Sequence, residues 1–152
     1  MRFSLLSISS VALLVSIASL AACSSSNDSA PGTPEAQGQA VVKAQGCTDC
    51  HGTDLSGSAN GIPKYPTRNT PNLTPDKDTG VGGWSDVQLK TAIRTGVDDE
   101  GAELCAVMPR FKDLSDSDVD HVIAYLRSLP AVSKEIPDSE CPKDAGADSG
   151  SK

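Results

Sequence analysis

The chain has 152 residues, and its 13 basic and 20 acidic residues give a formal net charge of −7. Binding to nucleic-acid phosphates requires a basic face, which an acidic chain lacks, so we expect no nucleic-acid partner. The length predicts a single domain. Aromatic residues make up only 3% of the sequence. So few large side chains indicate that a group other than protein fills the middle of the domain.

The N-terminus has the pattern of an export signal. Arg2 precedes an apolar stretch from Leu5 to Leu20, which is too short and too rich in serine to span a membrane. We therefore assign residues 1–22 to a signal peptide. Its end, Leu20-Ala21-Ala22-Cys23, resembles the lipobox of bacterial lipoproteins, which implies that Cys23 is lipidated and becomes the first residue. The alternative is an ordinary secretory signal that ends beside a cysteine by chance.

Composition divides the remainder into three segments. Residues 23–33 are small and polar and predict a flexible tether, whereas residues 34–130 contain the apolar periodicity of one domain. Residues 131–152 predict a low-complexity tail, largely disordered apart from Cys141, through which a disulfide would pin it. Without residues 1–22, 12 basic and 20 acidic residues leave a net charge of 12 − 20 = −8.

Helix start and stop signals predict three main helices. Each begins after a residue type that caps helix N-termini, namely Thr33, Ser85 and Ser115. The first helix is expected to reach about Gln45, the second to end at Gly96 and the third to stop before Pro130. Long loops rich in Gly and Pro connect them, and loops of that length usually wrap something. The predicted fold class is therefore all-α, with long loops around one bound group.

A single pentapeptide identifies that group. The run Cys47-Thr48-Asp49-Cys50-His51 matches C-x-x-C-H, the attachment site of c-type haem. Two thiols three positions apart can form thioethers with the two vinyl groups of one porphyrin, and the histidine that follows can ligate the iron. Attachment of this kind occurs on the outer side of the bacterial cytoplasmic membrane, which agrees with the export signal.

Three other interpretations of the pentapeptide stay open. A thioredoxin-like redox pair would be surrounded by a βαβ unit, which the sequence does not predict. A structural zinc site needs four ligands, whereas the chain has two histidines, His51 and His121, and no second close cysteine pair. The third interpretation is a chance match.

Met108 is the candidate sixth ligand of the iron. It is the only methionine besides Met1, and it lies in a loop before the third helix, where Pro109 would stiffen the backbone. The alternatives are that Met108 fills the core, or that His121 is the ligand. The projection of His121 falls on the border of the polar face of the third helix, away from the inner stripe. We therefore assign the role to Met108.

Residues 34–130 resemble a class I cytochrome c domain with a single haem. The matching residues, besides the pentapeptide and Met108-Pro109, are Gly38, Val42, Gly61-Ile62-Pro63 and Ala124-Tyr125-Leu126. Two further runs resemble the cytochrome domains that serve bacterial periplasmic dehydrogenases, which often carry several haems. These runs are Pro71-Asn72-Leu73-Thr74-Pro75-Asp76 and Gly82-Gly83-Trp84-Ser85.

The resemblance implies further roles. Gly38 and Tyr125 would form the contact between the first and last helices, and the Pro63 carbonyl would accept a hydrogen bond from the proximal His51 ring. Polar side chains in the long loop are candidates to hold the haem propionates, although they would equally suit loop surface or, for the tryptophan, packing at the start of the second helix. These candidates are Tyr65, Arg68, Asn69 and Trp84.

Two cysteines remain of the five in the chain. Cys105 and Cys141 form an even remainder in an oxidising compartment, which favours a disulfide between them. Such a disulfide would hold the Met108 loop closed. The alternative is two free thiols, with Cys105 near enough to the iron to act in redox chemistry or ligand exchange.

The expected function is one-electron transfer by a monomeric, non-enzymatic carrier with one covalent haem c. Its partners would be a dehydrogenase, oxidase or reductase, reached by weak and transient docking from a lipid anchor on the periplasmic side of a bacterial membrane. Ser24 after Cys23 favours the outer membrane. The alternatives are a haem-based ligand sensor or peroxidase-like enzyme with an open sixth site, and a fixed haem subunit of a larger oxidoreductase complex.

Overall fold

The computed structural model describes residues 32–63 and 65–138. Within these ranges the chain forms four α-helices and only isolated β-bridges. The helices are α1 (Pro34–Ala44), α2 (Cys47–His51), α3 (Asp86–Thr95) and α4 (Asp116–Ser128). The expected all-α class and its three main helices are confirmed, and α2 is a short additional helix. The proposed signal peptide, Cys23, Ser24 and Cys141 lie outside the described residues.

The helix boundaries follow from the capping residues that the sequence contains. Thr33 and Ser115 accept hydrogen bonds from backbone N–H groups in the first turns of α1 and α4. Ser85 and Gln88 form the predicted capping box, in which each side chain accepts from the backbone N–H of the other residue. Gly96 ends α3 in the left-handed conformation, with φ 71°. Local sequence therefore determines where the three main helices begin and where α3 ends.

Helix α4 provides the centre of the core. The buried side chains of its inner face are Val119, Val122, Ile123 and Leu126. Two of them join Val42 of α1 and Leu55 in one apolar cluster, and the other two join Val81 and Leu89 of α3 in a second. Burying a side chain of this size contributes about 1.5–3 kcal/mol. The long loops thus pack on a small core that α4 connects.

Helices α1 and α4 meet at Gly38. A Cβ atom built on this glycine would lie 1.9 Å from the carbonyl oxygen of His121 and 2.8 Å from the Cβ of Tyr125. Real side chains do not approach that closely, so only glycine allows the two backbones to reach this distance. The expected contact between Gly38 and Tyr125 is confirmed. His121 lies at the same contact and is half-buried, in agreement with its predicted border position.

The tail differs from its prediction over residues 131–138. This stretch is hydrogen-bonded to the loop between α2 and α3: Val132 pairs with Asn72 and Thr74, and the Lys134 ammonium donates to the Gly57 carbonyl at 2.5 Å. Low apolar content predicted disorder here, but the stretch is held by polar contacts, which hydrophobic patterning does not detect. The remaining tail residues lie outside the described ranges.

Long loops connect α2 to α3 and α3 to α4 in the described part of the chain. None of the helices in residues 32–63 and 65–138 has the length and apolar content needed to cross a membrane.

Replacement of Gly38 by alanine tests the close contact. Alanine normally favours a helix over glycine, but the added methyl group would collide with α4. We expect Gly38→Ala to lower the free energy of unfolding by about 1–3 kcal/mol, the usual cost of overpacking. Chemical denaturation followed by circular dichroism measures the effect. The matched control is Gly83→Ala, whose Cβ would have its nearest neighbour, the Lys77 carbonyl oxygen, at 3.7 Å. Equal unfolding midpoints for both variants would contradict the contact.

Candidate haem-attachment site

Helix α2 holds the whole C-x-x-C-H pentapeptide. Gly46, with φ 70°, turns the chain from α1 into α2, so the motif forms a separate single turn. Cys47 and Cys50 are free and half-buried, and residues three apart in a helix lie on the same side. Burial raises the pKa of the Cys47 thiol, with smaller contributions from Cys50 and Asp49. Two reduced thiols beside a histidine are the donors that covalent haem attachment requires.

The ring of His51 is buried and oriented by one hydrogen bond. Only 5% of the residue is exposed, and Nδ1 lies 2.9 Å from the carbonyl oxygen of Pro71. A carbonyl can only accept, so Nδ1 carries the proton and Nε2 keeps its lone pair. Burial lowers the pKa of His51, which favours the neutral ring. The residues of α2 therefore fit a haem whose iron is ligated by Nε2.

The identity of the acceptor corrects the prediction for Pro63. The loop folds back so that Pro71, twenty residues after His51, presents its carbonyl to the ring, whereas Pro63 is exposed. Spacing along the sequence does not decide which carbonyl of a long loop reaches a buried side chain. A signal was nevertheless present, because Pro71 begins the run Pro71-Asn72-Leu73-Thr74-Pro75-Asp76, which resembles dehydrogenase-associated cytochromes.

Hydrogen bonds on both sides of Pro71 hold its carbonyl in place. On one side, the Thr70 hydroxyl donates to the Cys50 carbonyl at 2.8 Å. On the other, the Asn72 amide donates to the Val132 carbonyl at 2.7 Å and accepts from the Thr74 N–H at 2.9 Å. Asn72 is 2% exposed and Thr74 is fully buried. This polar network, which sequence reasoning missed, ties the loop between α2 and α3 to both α2 and the tail.

Leu55 reinforces the same region. It is the one non-glycine residue with positive φ (60°) among the described residues, and it is 1% exposed. A leucine in this conformation is strained by roughly 1–2 kcal/mol. Its side chain packs in the cluster with Val42, and its carbonyl accepts from the Leu73 N–H at 2.8 Å. Burial thus holds a strained turn that directs the loop back toward Pro71.

Met108 lies half-buried in a turn between α3 and α4, where its N–H donates to the Cys105 carbonyl at 2.9 Å. The turn is anchored to α3, because the Leu104 N–H donates to the Gly96 carbonyl at 2.8 Å and the Phe111 N–H to the Ile93 carbonyl at 3.0 Å. The expected loop position is confirmed. Ligation of iron by Met108 stays a prediction.

The four candidate propionate ligands have different contacts in the structure. Tyr65 and Arg68 lie half-buried in one turn, in which the Arg68 N–H donates to the Tyr65 carbonyl. The Asn69 amide donates to the Pro137 carbonyl of the tail at 2.9 Å. Trp84 packs against the core cluster of Val81 at the start of α3, which is the packing role left open for it. A propionate contact by any of these four residues stays a prediction.

Cys105 is disulfide-bonded, and its partner lies outside the described residues, so its pairing with Cys141 stays a prediction. The described residues contain no group of three or more His, Cys, Asp or Glu side chains able to hold a metal ion. The zinc alternative therefore has no ligand set in that part of the chain.

Replacement of Asn72 tests the network beside Pro71. Leucine has a similar volume but cannot form the Asn72 hydrogen bonds to the Val132 carbonyl and the Thr74 N–H, and a buried group left unsatisfied costs about 1–3 kcal/mol. We expect Asn72→Leu to lower the free energy of unfolding by about 2 kcal/mol or more, measured by denaturant titration. Asn60→Leu is the control, because Asn60 is exposed. An unfolding midpoint for Asn72→Leu equal to that of the control would contradict a structural role for the network.

Comparison with known proteins agrees with this geometry. A family model described as cytochrome c matches residues 35–130. A nicotinate dehydrogenase subunit of Pseudomonas putida is 34% identical over 108 residues, covering 66% of this chain and 9% of that protein. A diheme cytochrome c-type protein of Cereibacter sphaeroides is 31% identical over 105 residues, covering 62% of this chain and 36% of that protein.

A third relative is the gluconate 2-dehydrogenase cytochrome c subunit of Pantoea cypripedii. It is 30% identical over 113 residues, covering 70% of this chain and 26% of that protein. The chain therefore spans only between 9% and 36% of the length of these three relatives.

Proposed function

The chain belongs to the cytochrome c family, whose members bind haem c covalently and transfer electrons, and from that premise we propose that it is a monohaem electron carrier. It is proposed to be exported and held by a lipid on Cys23 at the periplasmic side of a bacterial membrane. The observation that carries the proposal is the buried His51, which lies beside two free thiols with Nδ1 bonded to Pro71. One C-x-x-C-H run in the sequence supports a single haem.

Each residue of the site has a defined task in this proposal. Cys47 and Cys50 would hold the haem through thioethers, and His51 would ligate the iron through Nε2, with its ring oriented by the Pro71 carbonyl. Met108 would supply the sixth ligand from the turn anchored on α3. When bound, the haem supplies one-electron exchange between Fe(II) and Fe(III). If His51 and Met108 both ligated the iron, no substrate would reach it, so the protein would act as a carrier and not as an enzyme.

Met108→Ala tests the proposal against the ligand sensor or peroxidase-like alternative. The reduced wild-type protein should show a low-spin c-type visible spectrum that carbon monoxide does not change, because Met108 fills the sixth site. Met108→Ala should bind the gas, whereas the neighbouring control Val107→Ala should not. Binding of carbon monoxide by the wild-type protein at neutral pH would contradict ligation by Met108 and favour the alternative with an open sixth site.

A second candidate is a fixed haem subunit of a dehydrogenase complex. The names of the relatives favour it, since two of them are described as dehydrogenase subunits. The net negative charge of the chain would complement a docking surface with a basic rim, whether the partner is met transiently or is part of a stable complex. A carrier that docks transiently would dissociate from its partner protein during purification, whereas a fixed subunit would stay bound to its complex.

Gentle solubilisation of the native membrane separates the two candidates. A mobile carrier should elute from size-exclusion chromatography as a monomer after detergent extraction, with no stoichiometric partner, because small redox interfaces dissociate readily. Co-elution of the haem absorbance with a dehydrogenase at both low and high salt would contradict the carrier and support the fixed subunit. Extraction by sodium carbonate without detergent would contradict the lipid anchor.

A further inference from the structure

One cationic side chain holds the backbone of the loop that contains Met108, and we propose that Arg110 is the positioning residue that keeps this loop closed. The inference rests on the proposed function, because it takes Met108 as the sixth ligand of the iron. In this role Arg110 never contacts the iron itself. It acts through the backbone of residues 104–108 and sets how readily an outside ligand displaces the Met108 sulfur.

The contacts of Arg110 all point to the segment just before it. Nη1 donates to the Met108 carbonyl at 2.6 Å and lies 3.5 Å from the Cys105 carbonyl, and Nη2 donates to the Leu104 carbonyl at 2.7 Å. A guanidinium has five N–H donors in a rigid fork, so one side chain can bind several carbonyls at once. Three carbonyls of a single turn therefore converge on one half-buried cation.

Helix α3 leaves room for this cation at its C-terminus. A Cβ atom on Gly96 would lie 1.9 Å from both Cζ and Nε of Arg110, so the guanidinium lies against the bare backbone of the glycine. The same glycine accepts the hydrogen bond from Leu104, and the Phe111 N–H donates to Ile93. The Met108 turn is thus attached to α3 at both ends, with the guanidinium between the turn and the helix.

Three other cationic side chains near α3 form ion pairs, unlike Arg110 within the described residues. Lys90, Arg94 and Arg127 each form an ion pair with an aspartate, at 2.7–2.9 Å. In the described part of the chain Arg110 forms no such pair, and its hydrogen bonds there go to backbone carbonyls. Hydrogen bonds from an ionised donor are stronger than those from a neutral one. Opening of the Met108 turn must therefore break several charge-assisted contacts together.

Competition with imidazole tests the role. Imidazole binds ferric haem only after the methionine sulfur leaves, so its affinity reports how easily the Met108 turn opens. We expect Arg110→Gln to raise the imidazole affinity of the oxidised holoprotein by about 10-fold or more, because the closed turn of the variant lacks the hydrogen bonds from a charged donor that opening must otherwise break. Arg110→Lys keeps the charge but not the fork, and should give an intermediate affinity. Imidazole is titrated into the oxidised protein, and binding is measured by visible absorption spectroscopy. No reductant is added, so that the Cys105 disulfide stays intact.

Two controls separate positioning from general destabilisation. Arg94→Gln makes the same substitution at an arginine whose hydrogen bonds in the described part of the chain go to the Lys112 carbonyl and the Asp116 carboxylate. Gly38→Ala is expected to destabilise the fold at the contact of α1 with His121 and Tyr125. Both should bind imidazole as the wild type does. Equal affinities for Arg110→Gln and wild type, or a rise in both controls as large as in Arg110→Gln, would overturn the inference.

The outcome also distinguishes this inference from the proposed function. If the wild-type ferric protein lacks the long-wavelength absorption of methionine ligation, the assignment of Met108 fails and the role of Arg110 fails with it. If that absorption is present and Arg110→Gln binds imidazole like the wild type, the carrier proposal stands and only the role of Arg110 is overturned. Should Arg110→Gln not accumulate as holoprotein, Arg110→Lys gives the decisive comparison with Arg94→Gln.

Discussion

The hydrogen bond from His51 to the Pro71 carbonyl joins the short helix of the attachment motif to a long loop that has few apolar residues of its own. A buried imidazole must have its polar N–H satisfied, and the loop must approach α2 closely to provide the acceptor. Much of the surrounding structure supports that approach. Thr70 binds the backbone of α2, Asn72 binds the tail, and the strained turn at Leu55 directs the chain back toward the helix.

Polar side chains that bind backbone carbonyls replace apolar packing in the loops. Arg110 binds three carbonyls of the Met108 turn, Arg127 binds those of Val81 and Trp84, and Lys134 binds that of Gly57. Each of these cations holds loop backbone through one or more carbonyl groups. A loop rich in Gly and Pro buries too little apolar surface to hold itself, so hydrogen bonds from charged donors supply its order. The acidic chain thus places several of its few basic residues at structural positions.

The loop that binds His51 and the turn that contains Met108 are held by different sets of hydrogen bonds. Residues 131–138 bind the loop between α2 and α3 through Val132 and Lys134. The Met108 turn is fixed to the end of α3 through Gly96 and Arg110. A change in one set therefore need not disturb the other.

Prediction from sequence succeeded where the physical signal is local. The caps at Thr33, Ser85 and Ser115 depend on side chains within three residues of the helix start, so they were predicted correctly. The C-x-x-C-H motif is equally local. The contact of Gly38 with Tyr125 was also correct, although it came from resemblance to a family and not from periodicity.

The sequence by itself determined the fold class, the helix boundaries and the residues that can attach a haem, because each depends on short-range hydrogen bonding or on the chemistry of one motif. Only the tertiary structure decided that Pro71 and not Pro63 orients His51, that the tail binds Asn72, and that Arg110 holds the Met108 turn. Whether these residues meet depends on how a long loop folds back on the core. The same sequence pattern is compatible with many backbone paths of such a loop, and tertiary packing selects one of them.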